Sequence, residues 1–65
     1  MEIKINQKGI VKNGKYEGHE CEIEYNKEED IYFLSLTKDN ERTEIAFVTK
    51  EDLEEFLTFE IEWII

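Results

Sequence analysis

Apolar and polar residues alternate along most of this chain. Cys21, Ile23 and Tyr25 interleave with Glu20, Glu22 and Glu24, and Phe59, Ile61, Trp63 and Ile65 interleave with Glu60 and Glu62. A period of two marks a strand with one side buried and the other in water. Ile3, Ile5 and Val11 share a parity as well, giving a strand or a broken pair of strands over residues 1–12. Residues 31–37 are dense in β-formers, and 43–48 read as a further strand beyond the polar loop 38–42. The period then changes. Leu53, Phe56 and Leu57 recur at helical spacing, with Glu54 and Glu55 left for water. Thr49 stands three residues ahead of Asp52 as the N-cap of that helix, and Glu51 and Asp52 suit the positive end of its dipole. A helix of about nine residues does not persist alone, so it must dock on the sheet.

The predicted fold is therefore α+β, one globular domain over residues 1–65. It is a small, mostly antiparallel sheet of about four or five strands. One short helix in the C-terminal half packs on one face, in the chain order β-β-β-β-α-β.

Turn chemistry sets expectations for register. Asn13-Gly14 suits a two-residue type I′ hairpin, with Lys12 facing Lys15, Val11 facing Tyr16 and Gly9 facing Gly18. Tyr16 is even whereas Cys21, Ile23 and Tyr25 are odd. Keeping Tyr16 and Ile23 on one side needs an extra residue, hence a β-bulge near Gly18 or, equally, two separate short strands. Around the polar link 26–30, pairing Tyr25 with Tyr32, Ile23 with Leu34 and Cys21 with Leu36 aligns three apolar pairs. The rival register, Tyr25 with Ile31, aligns fewer and buries Phe33. The first is preferred, and it sets Phe33 on the far face beside Glu22 and Glu24, flanked by Ser35 and Ala46.

Charge narrows the function. Seventeen acidic and eight basic residues give a net charge of −9 over 65 residues. A negative field of that density disfavours direct binding to nucleic acid or an anionic membrane and favours a basic protein surface. No apolar run approaches the roughly 20 residues needed to span a bilayer. The single cysteine, Cys21, cannot form an internal disulfide, and with the absence of a leader it points to the cytoplasm. Domains of this size bury only about 60% of their unfolded surface, so oligomerisation is one route to added stability.

The candidate partner-binding residues are Glu20, Glu22, Glu24, Glu60 and Glu62, with Phe33 as an aromatic anchor. Neighbouring carboxylates on a strand face stand about 6.6 Å apart, within the Debye length of about 8 Å. Such rows serve either solubility or docking on a lysine- and arginine-rich surface, where they imitate a phosphate backbone. Phe33 is alternatively a core residue. Trp63 reads as core, while Ile64 falls on the opposite face. Trp63, Ile64 and Ile65 are thus candidate homodimer residues at an apolar strand end. His19 and Cys21 make at most half a tetrahedral metal site, and the acidic loops lack the ligand spacing of an EF-hand. No metal, cofactor or catalytic residue is expected: Ser35 is the only serine, and neither a phosphate loop nor a nucleophile motif is present. The function expected is an acidic binding module that inhibits or modulates a partner. The alternative is a structural or accessory homo-oligomer whose acid only solubilises it.

Overall fold

The alternating segments pair into one open antiparallel sheet. The computed structural model describes residues 4–64. Its strands are β1 (Lys8–Val11), β2 (Glu20–Asn26), β3 (Ile31–Lys38), β4 (Glu41–Phe47) and β5 (Ile61–Trp63), and its helix is α1 (Lys50–Phe56). Across the sheet the order is β4-β3-β2-β1-β5, every neighbouring pair antiparallel. This is the α+β architecture read from the sequence. The chain leaves the sheet at the β4 edge, α1 packs over one face, and β5 returns at the opposite edge beside β1.

The apolar parity of each strand points towards α1. Val11, Cys21, Ile23, Leu34 and Leu36 from the sheet, Leu53 and Leu57 from the helix region, and Phe59 form the buried core. Tyr16, Tyr32, Phe47, Phe56, Ile61 and Trp63 pack around it. Thr49 caps α1 as expected, its hydroxyl accepting from Asp52 N at 3.1 Å.

The β2–β3 register is the preferred one: Tyr25 opposite Tyr32, Ile23 opposite Leu34 and Cys21 opposite Leu36. The four-residue link is held by Asn26, whose Oδ1 accepts from Glu28 N at 3.0 Å and Glu29 N at 3.2 Å.

Asn13-Gly14 does not make the expected hairpin. Gly9 pairs with Cys21 and not Gly18, and Asn13 is not among the residues with positive φ, as a type I′ turn requires. Instead Asn13 Oδ1 accepts from Glu60 N at 2.9 Å, so the residue ties the start of β5 to the β1–β2 loop. The type I′ geometry occurs at Asp39 (φ 52°) and Asn40 (φ 68°), the two residues linking β3 to β4. A bulge does form at Gly18. Gly18 N donates to Val11 O at 2.9 Å while Val11 N donates to His19 O at 2.9 Å, so two residues oppose one. Gly18 has φ 85°, a conformation that glycine adopts without strain.

Of the strand or broken pair of strands expected over residues 1–12, the described residues form one strand, Lys8–Val11. Ile5 and Asn6 lie in a turn with Asn6 at φ 62°, while Ile3 and Ile65 lie outside the described residues. β5 is an edge strand.

Candidate binding face

The face of the sheet opposite α1 is covered by no element of the described chain. Reading across it from β4 to β5, one row holds Arg42, Thr37, Glu20, Ile10 and Glu62. The next holds Glu44, Ser35, Glu22 and Lys8, and the third Ala46, Phe33 and Glu24. Glu22 and Glu24 therefore lie beside Phe33 as expected, and Glu20 and Glu62 share its face, Glu62 three strands away on β5. Glu60 precedes β5 and is exposed, and Lys12 N donates to its carbonyl at 2.8 Å.

Of the lysines on neighbouring strands expected to relieve part of the repulsion between these carboxylates (Lys4, Lys12 or Lys15), Lys12 does so, and Lys8 and Arg42 join it. Lys8 Nζ lies 3.7 Å from Glu20, Lys12 Nζ 3.6 Å from Glu62, and Arg42 Nη2 3.0 Å from Glu44. Arg42 also donates to Ser35 Oγ at 3.0 Å, which accounts for a buried serine on an otherwise solvated face. All three ion pairs are largely exposed, so each contributes about 0–1 kcal/mol to stability. Their consequence is electrostatic: they neutralise Glu20 on β2, Glu44 on β4 and Glu62 on β5. Among the described residues no ion pair engages Glu22 or Glu24. The carboxylates of the face left outside these pairs are Glu22, opposite Lys8, and Glu24, both on β2 beside Phe33.

Acidic residues also lie away from the open face. Glu51, Asp52, Glu54 and Glu55 stand on or beside α1 with only Lys50 among them, and Glu28, Glu29 and Asp30 follow Lys27 in the β2–β3 link. The net charge is divided between the open face, the helix and the links, not gathered on one side.

Phe33 is half-buried, neither a core residue nor a freely protruding one. It lies opposite Glu24 on β2 and Ala46 on β4. The small side chain of Ala46 leaves one flank of the ring open. On its other flank, towards β2 and the β2–β3 link, an open depression of about 470 Å³ is lined by Glu24, Tyr25, Asn26, Lys27, Glu28 and Phe33. Tyr25 stacks at 4.8 Å on Tyr32 and donates its hydroxyl to Asp30 Oδ1 at 2.7 Å. That hydrogen bond to a carboxylate pushes the Tyr25 phenol above its ordinary 10.0.

Trp63 packs at the core margin while Ile64 is 53% exposed at the β5 edge. His19 directs Nδ1 to Tyr16 O at 2.9 Å. Cys21 is fully buried, and desolvation pushes its thiol up from 9.0 to about 11, only partly opposed by the hydrogen bond from the Gly9 backbone. Such a thiol stays protonated and unreactive at neutral pH. Among the described residues no group of three or more His, Cys, Asp or Glu could hold a metal ion, and no helix is long and apolar enough to cross a membrane. Comparison with known proteins finds no matching family model, no matching curated protein and no matching solved structure.

Proposed function

We propose that this chain is a small protein-binding module whose open sheet face docks on a basic surface of a partner protein and thereby inhibits or modulates it. One observation carries the reading. Phe33 lies half-buried on an uncovered face, opposite Glu24 and near Glu22, and among the described residues no ion pair engages either carboxylate. An arginine or lysine brought there meets an aromatic ring and two carboxylates together. The ring attracts the cation through its quadrupole, and the carboxylates add charge-assisted hydrogen bonds. Glu60 adds negative charge beside β5, whereas Glu20 and Glu62 are paired with Lys8 and Lys12 and would join the docking surface by exchanging those cations for the partner's lysines and arginines.

Calorimetric titration with a short oligoarginine peptide tests this. The wild-type chain should bind it at low salt and release it as salt rises. Phe33→Ala, and separately the double change Glu22→Gln with Glu24→Gln, should each weaken binding by roughly tenfold, the loss expected of about 1.4 kcal/mol. The pair Glu54→Gln and Glu55→Gln removes as much charge from the helix and should change affinity little. Equal losses from the helix pair and the face pair would reduce the effect to net charge and defeat the proposal.

A second reading, a homo-oligomeric accessory protein, draws on the exposure of Ile64 beside Trp63 at the β5 edge and on the spread of acid over the molecule. There Ile64→Lys should lower the mass measured by light scattering. An unchanged mass would remove the β5 edge from consideration.

A further inference from the structure

The sheet has two edges, and they differ. β5 is three residues long, whereas β4 runs unbroken from Glu41 to Phe47. Strand edges are ordinarily protected by proline, a bulge, an inward lysine, shortness or charged side chains, and of these β4 carries only the last, at Glu41, Arg42 and Glu44. Nothing in the β4 sequence ERTEIAF provides the first or third of these. Its pairing with β3 is regular throughout, so there is no bulge either.

The type I′ turn decides which backbone groups of β4 are free. Its closing bond makes Lys38 and Glu41 a hydrogen-bonded pair, and strict alternation then commits the odd residues of β4 to β3. The N–H and C=O groups of Arg42, Glu44 and Ala46 point away from the sheet.

We infer that β4 is a self-complementary edge on which a second copy of this chain pairs antiparallel, with the two-fold axis at Thr43. This goes beyond binding at Phe33 and depends on different residues. A two-fold axis on Arg42 or Glu44 would set like charges face to face. On Thr43 it sets Arg42 opposite Glu44 of the second copy and Glu44 opposite its Arg42, both at hydrogen-bonded positions. Thr43 then faces its own copy, a favourable cross-strand pair. Arg42 and Glu44 already lie 3.0 Å apart on the open face, so the pairing closes an alternating ring of four charges. Each chain carries −9, and their long-range repulsion opposes association. At physiological salt that repulsion is screened beyond about 8 Å, while paired strands stand about 4.8 Å apart. The local complementary pairs therefore act where the net charge acts least. The product is a continuous sheet of two copies with both Phe33 sites on the same face.

Charge exchange at the edge tests the register. Sedimentation equilibrium at physiological salt should show the wild-type chain dimerising as its concentration approaches the millimolar range. Arg42→Glu and Glu44→Arg should each raise the dimer Kd by roughly tenfold or more, since each turns two cross-strand attractions into repulsions. The two changes shift net charge in opposite directions, so a net-charge effect cannot weaken both. The double exchange should restore the wild-type Kd. Thermal unfolding of each variant at low concentration checks that the protomer fold survives. A chain that stays monomeric throughout, single variants that move Kd in opposite directions, or a double exchange that fails to restore dimerisation would each overturn the inference. Loss of the dimer in Ile64→Lys, with the edge variants unaffected, would assign the interface to β5.

Discussion

A Cβ at Gly9 would lie 2.6 Å from Ile61 Cγ2, 3.0 Å from Glu62 O and 3.1 Å from Trp63 Cε3. The missing side chain at this one position is what lets β5 approach β1, and the indole of Trp63 covers the space. Gly9→Ala should therefore cost about 1–3 kcal/mol, the usual penalty for overpacking, seen as an earlier urea midpoint; an unchanged midpoint would show that β5 is not held this tightly. Cys21 makes a different contribution. Folding raises its pKa from 9.0 to about 11, so the protonated thiol stabilises the fold fully below pH 9 and loses that contribution as pH climbs towards 11. Wild-type stability should fall more steeply across that window than that of Cys21→Ala, and parallel curves would contradict the assignment. Asn13 illustrates the limit of local reading. Its neighbour Gly14 made a turn the obvious inference, but its side chain bonds a backbone amide 47 residues away, and no local signal reports that.

Among the elements, legibility followed the number of apolar pairs that depend on a register. The β2–β3 pairing aligns three such pairs, so it was readable, and with it the outward position of Phe33. The β1–β2 pairing aligns few, and β1 also pairs with β5, a strand about 50 residues further along the chain that no local pattern links to it. The β3–β4 hairpin uses Asp39-Asn40, a pair without glycine, in a loop whose limits the sequence left broad. The helix was clear from its cap and spacing. Thr49→Ala removes the hydroxyl that accepts from Asp52 N and should destabilise the domain by about 1 kcal/mol in chemical denaturation. A loss near zero would mean that packing of Leu53 and Leu57 alone positions α1.

For the whole molecule, the sequence showed how much acid there is but not where it is opposed. Alternation places Glu20, Glu22 and Glu24 on one face of one strand. It does not say that Lys8 lies 3.7 Å from Glu20 or that Arg42 holds Glu44, because those neighbours depend on strand order. Once the order β4-β3-β2-β1-β5 is known, the coherent part of the acidic surface narrows to Glu22 and Glu24 with Phe33 beside them. The equally acidic helix is the internal control, since it has charge without an aromatic ring on an open sheet. Amide chemical-shift mapping during titration with oligoarginine at low salt tests this account most directly. Perturbations centred on residues 22–24 and 33–35 are the predicted result, whereas larger shifts along residues 50–56, or shifts scattered in proportion to local charge, would contradict it.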